Sequence, residues 1–464
     1  MERFDVVVLG AGPGGYTAAI RAAQLGRSVA IVEPSMWGGV CLNIGCIPTK
    51  ALLRHAEIAD LVTVHRDRFG LRGEMTVDYG VAFARSREVA DGRVKGVHYL
   101  MRKHGIVELH GKGRFRDART IDVVLNDGGR RALRFGDAIV ATGATPAMLT
   151  GINRSDRVVT YEALIMRDAP PPSIVIVGGG AIGVEFATLL SSFGTSVTLV
   201  EAQPRLLPNE DAEVAIALEK ALSARGVTIV TGATVQEIAD GRDGTSVVVD
   251  HDGLSRTIAA DTVLVAIGFR PNSAALGLDA VGVQCTPRGA IEIDDSMRTS
   301  ASNVWAIGDV TAKLQLAHVA EAQGMVAAES IASAPTTPIT DYRILPRAVF
   351  STPQVASFGL TEEQARTEVG AIVVSRFPLA ASGRAHALGA PEGFVKLIAE
   401  PQHGELLGAH LVGAEVSELL PELTLAAQYE ISAAEIARNV HVHPSMSEAV
   451  LEAAHGVLGQ PINL

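Results

Sequence analysis

One local pattern occurs twice in this chain, and it constrains the fold more than any other feature of the sequence. Each copy has an apolar strand, a glycine-rich turn and a helical run, and its second apolar strand ends at an acidic residue. The first copy extends from Phe4 to Glu33 and the second from Ser173 to Glu201. Strand–helix–strand units of this kind predict parallel sheets that are covered by helices. The sequence therefore predicts an α/β fold with two similar halves.

The glycine-rich turn of each copy has the spacing Gly-x-Gly-x-x-Gly. With a strand before it and a helix after it, this spacing is typical of Rossmann-like dinucleotide-binding units. The first glycine allows a tight turn, the second lets a pyrophosphate approach the backbone, and the third lets the helix pack closely on the strand. The helix N-terminus then offers free N–H groups to the phosphates. A single match could be a structural turn only, but two complete copies predict two nucleotide sites. The glycines are Gly10, Gly12 and Gly15 in the first copy and Gly178, Gly180 and Gly183 in the second.

The acidic residues that end the two copies are candidates for binding ribose. A carboxylate at this strand end can accept hydrogen bonds from ribose hydroxyls, which assigns this role to Glu33 and Glu201. Two later segments, 137–145 and 263–271, run from an apolar strand into a turn with glycine, and we expect them to be the return strands of the two units. From about residue 345 the glycine fingerprints stop, and strand-like runs alternate with helical ones. The strand-like runs are 373–377, 394–398 and 406–412, and the helical runs are 415–428 and 433–438. This change predicts a separate α+β domain.

Length and charge narrow the class of protein. A chain of 464 residues is too long for one core, and its net charge of −11 argues against a general nucleic-acid surface. Two apolar stretches, 6–20 and 173–190, could be mistaken for a signal peptide or a membrane span. Acidic residues precede the first, and the second contains Glu185 and four glycines. We therefore expect a cytoplasmic protein that binds neither nucleic acid nor membrane.

Two of the three cysteines, Cys41 and Cys46, lie five positions apart. Three cysteines are too few for a secreted disulfide scaffold, and cytosolic disulfides are usually catalytic or transient. A disulfide needs Cα atoms roughly 4.4–6.8 Å apart, whereas positions i and i+5 of an ideal helix lie about 8–9 Å apart. A bond therefore requires a distorted helical turn, which Gly45 and Pro48 make plausible. The alternative is two buried, unbonded cysteines, and we expect Cys285 to be an ordinary buried thiol.

The segment around the cysteine pair, GGVCLNIGCIPTK at 38–50, resembles the redox-active disulfide of the pyridine nucleotide–disulfide oxidoreductases. Within that family it most resembles the dihydrolipoamide dehydrogenases, and among these the actinobacterial members. Val40 and Thr49 stand where many members have Thr and Ser, and both changes are conservative. The likeness covers essentially the whole chain, and four other motifs follow in family order: GAGPGGY at 10–16, ATG at 141–143, AIGD at 306–309 and HVHPSMSE at 441–448.

The resemblance implies two Rossmann-like domains that bind FAD and NAD, and a C-terminal α+β domain that forms a homodimer. It also implies that the partners are lipoyl domains of 2-oxoacid dehydrogenase complexes or of a glycine cleavage system. The implied domains are an FAD-binding domain at 1–146, an NAD-binding domain at 147–269, a central domain completing the FAD site at 270–344, and an interface domain at 345–464.

The resemblance also implies roles for single residues. A dihydrolipoyl thiolate would attack Cys41, and Cys46 would be the sulfur nearer the flavin. Lys50 would lie near flavin N5 and pair with Glu185; otherwise these are two unrelated surface charges, although a charge in the apolar run around Glu185 needs a partner. The implied cofactor contacts are Glu33 with the adenosine ribose of FAD, Asp309 with the ribityl chain, and backbone or turn contacts from Gly39, Gly113, Thr142, Gly143, Gly268 and Ala317.

His443 is the candidate base for the thiol protons, with Glu448 to fix its tautomer and stabilise its cation. Because Pro444 disfavours helical geometry at His443, a turn must bring the carboxylate to the ring. The simpler interpretation is a helix start, with Ser445 or Ser447 as the cap. The catalytic role and the role in starting the helix can coexist.

Other activities of the same family fit less well. A glutathione reductase would need basic residues for the 2′-phosphate of NADPH, where Glu201 would repel it. A mercuric reductase would end in a vicinal cysteine pair, whereas this chain ends in QPINL. Flavin transhydrogenases and quinone reductases usually lack the cysteine pair. A non-catalytic redox sensor or scaffold is the alternative from another class, and two complete nucleotide sites argue against it.

Overall fold

The computed structural model describes residues 1–241 and 244–463. Within this part, no helix is both long and apolar enough to cross a membrane. The chain divides into two compact units, each assembled from three segments. The first unit contains Met1–Ala51, Gly80–Ala147 and Gly268–Tyr342, and the second contains Leu52–Tyr79, Met148–Ile267 and Arg343–Leu464. The division into four domains stays a prediction.

The described residues fold into a mixture of strands, helices and short 3₁₀ turns. The strands are β1 (Glu2–Leu9), β2 (Val29–Glu33), β3 (Val107–Asp117), β4 (Thr120–Leu125), β5 (Arg130–Val140), β6 (Ala144–Pro146), β7 (Val158–Val159), β8 (Ser173–Val177), β9 (Ser196–Val200), β10 (Thr228–Val230), β11 (Ala233–Gly241), β12 (Gly244–His251), β13 (Leu254–Ala260), β14 (Thr262–Val265), β15 (Phe269–Pro271), β16 (Val304–Ala306), β17 (Arg347–Val349), β18 (Gln354–Gly359), β19 (Val373–Pro378), β20 (Phe394–Ala399) and β21 (Leu406–Gly413). The α-helices are α1 (Pro13–Gln24), α2 (Gly39–Asn43), α3 (Cys46–Thr63), α4 (Tyr79–Lys103), α5 (Tyr161–Leu164), α6 (Ala181–Ser192), α7 (Ala212–Ala224), α8 (Ala317–Ala332), α9 (Glu362–Glu368), α10 (Gly383–Leu388), α11 (Leu420–Gln428), α12 (Ala433–Ile436) and α13 (Glu448–Val457). The 3₁₀ turns lie at Leu278–Val281, Gly308–Thr311, Leu379–Ala381 and Val416–Leu419.

The first unit is organised around β1, which pairs in parallel with β2 on one side and β5 on the other. β16 extends the sheet beyond β5 in parallel, and β3, β4 and β5 form an antiparallel meander. Both faces of β1 are buried, since Val6 and Val8 pack in one apolar core and Val7 and Leu9 in another. A strand that is covered on both faces has a continuous apolar sequence. This explains why β1 is evident from the sequence.

The second unit contains the second copy of the repeated pattern. Its parallel sheet has the strand order β10-β9-β8-β14-β7, and β11, β12 and β13 form a separate antiparallel sheet. The predicted strands at 173–177 and 196–200 are confirmed as β8 and β9. Each predicted return strand ends at its predicted turn, after β5 and after β14, and a further short strand, β6 or β15, follows the turn. A left-handed glycine occupies each turn, Gly143 at φ +68° and Gly268 at φ +110°.

The C-terminal segment of the second unit forms an antiparallel sheet with the order β17-β18-β21-β20-β19. Helices α11, α12 and α13 contribute to the same apolar core as this sheet, so the predicted α+β region is confirmed. Its predicted strands agree with the structure to within a residue or two. The helix predicted at 415–428 begins as a 3₁₀ turn and becomes α-helical at Leu420, beside Pro421 in the first turn.

Candidate active site

The cysteine pair lies where one helical run is broken into two. Helix α2 ends at Asn43, and α3 begins at Cys46. The Asn43 side-chain amide donates hydrogen bonds to the carbonyls of Trp37 (2.9 Å) and Gly39 (2.8 Å). The Arg87 guanidinium donates to the Asn43 carbonyl at 2.7 Å, which satisfies an acceptor that the end of the helix leaves without a partner. These bonds hold the break at a fixed place.

Gly45 allows the two helices to approach at this break. A Cβ atom on Gly45 would lie 2.9 Å from the Val40 carbonyl oxygen and 3.2 Å from the Cα atom of Cys41. Real Cβ atoms do not approach backbone that closely, so only glycine fits without a shift. The predicted distortion of the helix between the cysteines is therefore confirmed.

The structure contains both cysteines without a disulfide between them, and both are half-buried. The expected Cys41–Cys46 disulfide stays a prediction. A hydrogen bond with Cys46, and then burial, raises the pKa of the Cys41 thiol well above its usual range, against the opposing charge of Lys50. A hydrogen bond that raises a pKa stabilises the protonated donor. The hydrogen bond therefore favours a state in which one sulfur of the pair is protonated and the other carries negative charge.

Sequence reasoning missed two residues that act on this pair. The hydroxyl of Tyr16 donates a hydrogen bond to the Glu321 carboxylate at 3.0 Å. Burial raises the pKa of Tyr16, and the Glu321 charge raises it further. The same carboxylate also raises the pKa of Cys41. Tyr16 follows the first fingerprint directly and could have been suspected, but Glu321 is about three hundred positions away and carries no signal in the sequence.

The first glycine turn has the geometry that its spacing predicts. Gly10 has φ +102°, and a Cβ there would clash with the Ala141 carbonyl. A Cβ on Gly15 would clash with the Gly10 carbonyl, so the helix packs against the turn itself. Gly12 is the N-cap of α1 and has no side-chain cap, which leaves backbone N–H groups of the first turn available. Gly39 lies against it, since a Cβ on Gly39 would be 2.6 Å from the Gly12 Cα atom.

The second turn repeats this geometry. Gly178 has φ +112°, and a Cβ there would clash with the Ala266 carbonyl. A Cβ on Gly183 would clash with the Gly178 carbonyl, whereas Gly180 has no neighbouring atom within 4 Å of its Cβ position. The two turns therefore have matching tight bends and matching close contacts, and both fit a bound pyrophosphate.

The two acidic strand ends also correspond. The Glu33 carboxylate accepts hydrogen bonds from the N–H groups of Ala11 (3.1 Å) and Met36 (2.9 Å). The Glu201 carboxylate accepts from the N–H groups of Gly179 (2.6 Å) and Gln203 (2.7 Å). Each carboxylate is thus fixed beside its glycine turn, where a nucleotide ribose would lie.

Further predicted cofactor residues lie in the first unit. Burial raises the pKa of Asp309 to about 6. The backbone N–H of the preceding residue, Gly308, donates a hydrogen bond to the Gln323 side chain at 2.6 Å. This hydrogen bond fixes the turn. Ala317 is the first residue of α8, whose N-cap has no side-chain hydrogen bond. Gly113 also has a packing reason to be glycine, because its Cβ would lie 2.5 Å from the Leu9 side chain.

The turn after β5 is held by Asn272. The Thr142 hydroxyl donates to the Asn272 carbonyl at 2.8 Å, and the Asn272 N–H donates to the Gly143 carbonyl at 3.0 Å. Thr142 and Gly143 therefore have structural roles as well as the predicted cofactor role. The buried Asp309 carboxyl group, the two glycine turns and the helix N-termini together fit FAD and NAD.

The structure brings His443 and Glu448 together. The Nδ1 atom of His443 lies 2.8 Å from one carboxylate oxygen of Glu448, and the other oxygen accepts from the Ser445 N–H at 2.8 Å. Burial by itself would raise the pKa of Glu448, but the hydrogen bonds from Ser445 and His443 lower it below the usual range. The His443 side chain is 80% exposed. Ser447 is the N-cap of α13, and its side chain makes no cap hydrogen bond.

Two other predictions have different outcomes. Glu185 is buried in α6, and its carboxylate accepts a hydrogen bond from the Phe350 N–H at 2.9 Å. It is therefore not a surface charge, and its pairing with Lys50 stays a prediction. The expectation for Cys285 was wrong, because this thiol is exposed. Cys285 forms an isolated antiparallel bridge with Ile291.

The chain matches the family model of the pyridine nucleotide-disulphide oxidoreductases over residues 4–324 and the model of their dimerisation domain over residues 345–454. The chain belongs to this family. The oxidoreductase is 57% identical over 463 residues to the dihydrolipoyl dehydrogenase of Mycobacterium tuberculosis, with 100% of both chains covered. It is 51% identical to that of Corynebacterium glutamicum over 466 residues, covering 100% of this chain and 99% of the relative.

Solved structures resemble the oxidoreductase over nearly the whole chain. LpdA of Mycobacterium tuberculosis has a TM-score of 0.92 at 29% identity and covers 98% of this chain and 100% of its own. The HOCl-induced flavoprotein disulfide reductase RclA of Escherichia coli, as a Cu(II) complex, has a TM-score of 0.89 at 29% identity with the same coverage. The predicted likeness to actinobacterial relatives is confirmed.

Proposed function

We propose that this oxidoreductase is a dihydrolipoyl dehydrogenase, which oxidises dihydrolipoyl groups with NAD⁺ through its cysteine pair and FAD. One observation carries the proposal: a hydrogen-bonded thiol pair lies at a helix break in a chain that aligns from end to end with dihydrolipoyl dehydrogenases. A close pair of thiols is what a thiol–disulfide exchange requires.

The thiol exchange begins from the disulfide form of the pair. A dihydrolipoyl thiolate attacks Cys41, the bond between the cysteines breaks, and Cys46 leaves as a thiolate. The second substrate thiolate then attacks the substrate sulfur of the mixed disulfide, so that lipoyl is released and Cys41 takes a proton. Substrate has lost two electrons and the cysteine pair has gained them. In the resulting state Cys41 is protonated and Cys46 is charged, and the hydrogen bond between the two sulfurs favours such a state, with one proton on the pair.

Bound FAD would supply the redox chemistry that links the dithiol to hydride transfer to NAD⁺. The residues that would hold FAD are the first glycine turn, Glu33, Gly39, Gly113, Thr142, Gly143, Asp309 and Ala317. Those that would hold NAD are the second glycine turn, Glu201 and Gly268. Lys50 lies one helical turn after Cys46, and its positive charge favours a nearby thiolate. Glu185 would neutralise that charge between turnovers.

His443 takes the protons of the substrate thiols, which are mostly protonated at neutral pH. Glu448 holds Nδ1, so Nε2 is the ring nitrogen left for the substrate. Because two hydrogen bonds keep the Glu448 carboxylate ionised, it stabilises the imidazolium that forms. The exposure of His443 in the single chain is consistent with a side chain that is supplied to a partner subunit.

The match to a dimerisation domain supports a homodimer, in which the C-terminal segment of one subunit supplies His443 to the cysteine pair of the other. The lipoyl groups would be carried by domains of a 2-oxoacid dehydrogenase complex or of a glycine cleavage system. A cytoplasmic location belongs to the same proposal.

Anaerobic titration tests the proposal. One equivalent of dihydrolipoamide should produce a long-wavelength absorption band from a thiolate beside oxidised flavin, and NAD⁺ should then yield an equal amount of NADH. Cys285→Ser is the matched control, because it removes the exposed third thiol and should leave both steps unchanged. A protein that NADH reduces but dihydrolipoamide does not would have another substrate.

A further inference from the structure

A buried lysine in the C-terminal segment is surrounded by three carboxylates. The Lys396 side chain, on β20, is 1% exposed. Its Nζ atom lies 3.0 Å from Asp211, 2.8 Å from Glu213 and 2.7 Å from Glu362. An ammonium has three N–H donors, and each has an acceptor in this cluster. Burial alone would lower the pKa of Lys396, but the carboxylates raise it, so the charge is retained.

The charges of this cluster balance. Arg376 lies 2.9 Å from Glu213, and Arg366 lies 2.7 Å from Glu362. With Lys396, three cations therefore face three carboxylates. Removing Lys396 would leave Asp211, which is 3% exposed, without its buried partner, and this is costly. The cluster is thus a firm attachment point.

The attachment holds the start of α7. Asp211 is the N-cap of this helix and accepts a hydrogen bond from the Glu213 N–H at 3.1 Å. The preceding residue, Glu210, is also attached to the C-terminal segment, through Arg347 at 3.1 Å. The Glu210 side chain is 8% exposed, so this second ion pair is nearly buried.

The nucleotide loop is the name we give to residues 201–211, the chain between β9 and α7. It begins at Glu201, the predicted ribose ligand, whose carboxylate binds the Gly179 N–H. The Leu207 N–H donates to the Gly179 carbonyl at 2.9 Å, and the Leu206 side chain lies against Gly179. The loop therefore packs directly on the second glycine turn.

The nucleotide loop contains a strained residue. Leu207 has φ +45°, in the left-handed region that residues with a side chain avoid. Such a conformation persists only where the surrounding structure enforces it. One end of the loop is fixed by β9, and the other is fixed by Lys396 and Arg347.

We infer that Lys396 and Arg347 are positioning residues for NAD(H): they hold the nucleotide loop in the shape that binds the dinucleotide. The inference rests on the proposed use of NAD and concerns the nucleotide half of the reaction alone. Without this attachment the loop leaves its binding shape for part of the time, and the dissociation constant rises by the inverse of the fraction of time that the loop keeps this shape. The thiol exchange at Cys41 and Cys46 does not depend on it.

The test uses Lys396→Met and Arg347→Gln in the FAD-loaded enzyme, with Lys220→Met as the control on an exposed position of α7. ADP-ribose serves as the probe, because it lacks the nicotinamide and cannot exchange electrons. Calorimetry should show its dissociation constant raised about 5- to 50-fold in both variants. Amide hydrogen exchange within 201–211 should quicken without any nucleotide. The single-turnover rate of flavin reduction by dihydrolipoamide should change less than about twofold.

Two controls keep the inference falsifiable. Arg347→Lys preserves the charge and should recover most of the ADP-ribose affinity. If Lys396→Met does not fold, Arg347→Gln carries the test, since its side chain is 21% exposed. Unchanged ADP-ribose affinity in a folded variant overturns the inference, as does a parallel fall in dihydrolipoamide reduction, which would indicate general instability. A wild-type enzyme that binds ADP-ribose but is not reduced by dihydrolipoamide overturns the proposed substrate instead, and leaves the loop measurement valid.

Discussion

Replacing Gly45 by alanine tests whether the close approach of the two helices sets the cysteine geometry. The new Cβ would lie 2.9 Å from the Val40 carbonyl oxygen, and ordinary contact begins near 3.4 Å, so the backbone must retreat by about half an ångström. The atoms that must move belong to the helix that carries Cys41. Over-packing of this kind costs about 1–3 kcal/mol, against a gain of about 0.4–1 kcal/mol from the stiffer unfolded chain. We expect a net loss of about 1–2 kcal/mol in the free energy of unfolding.

The effect on catalysis should exceed the effect on stability. A misplacement of about 1 Å costs about 10²-fold in rate, so half that shift should slow dihydrolipoamide oxidation about tenfold. Transfer from NADH to an artificial one-electron acceptor should be unchanged, because it bypasses the thiols. Steady-state assays of both activities and a denaturant titration measure these effects.

The control for Gly45→Ala is Gly96→Ala. Gly96 lies within α4, has no positive φ and has no atom within 4 Å of its Cβ position. Alanine there should stabilise the protein by about 0.5–1 kcal/mol and leave both activities intact. If Gly45→Ala oxidised dihydrolipoamide at the wild-type rate, the close approach at Gly45 would not be what sets the thiol geometry.

Four further predictions concern the cysteine pair, the base and the two nucleotide sites. Cys46→Ser should keep FAD but abolish the long-wavelength band, and a surviving band would show that another sulfur lies next to the flavin. Glu201→Ala should narrow the preference for NADH over NADPH, measured as the ratio of kcat/KM values; a wild-type enzyme faster with NADPH would contradict the role of Glu201. His443→Gln should lower dihydrolipoamide oxidation by about 10²–10⁴-fold and spare NADH oxidation by an artificial acceptor, with Glu448→Gln weaker in the same direction; equal losses in both assays would mean a structural histidine. Because burial raises the pKa of Asp309 to about 6, the FAD-free protein gains stability from this group at low pH and loses it as pH rises through about 6. In Asp309→Asn the melting temperature should therefore depend less on pH around pH 6. The same pH dependence as in the wild type would refute the raised pKa of Asp309.

Much of the candidate site could be predicted because its residues are close in sequence. The glycine turns, the acidic strand ends and the Cys41–Cys46 segment each lie within about 35 residues, and their spacing follows from strand, turn and helix geometry. His443 and Glu448 are five positions apart, and the presence of Pro444 indicated that a turn joins them. Local stereochemistry decides such features.

The sequence could not predict the bounds of the return strands or the exposure of Cys285. Both depend on what the rest of the chain places next to a short segment. The turn at Gly268 could be predicted, but the short strand that follows it could not, because that strand forms only by pairing with the distant β6.

The sequence by itself determined the α/β class, the two nucleotide turns, the thiol pair and the family. Only the tertiary structure decided that Glu321 lies beside Tyr16 and raises the pKa of Cys41, and that Lys396 is buried against Asp211. In each case the partners are more than 180 positions apart in the chain. Their interaction depends on packing that brings distant elements together and removes water from between them, and no local pattern records which charge a buried group will meet.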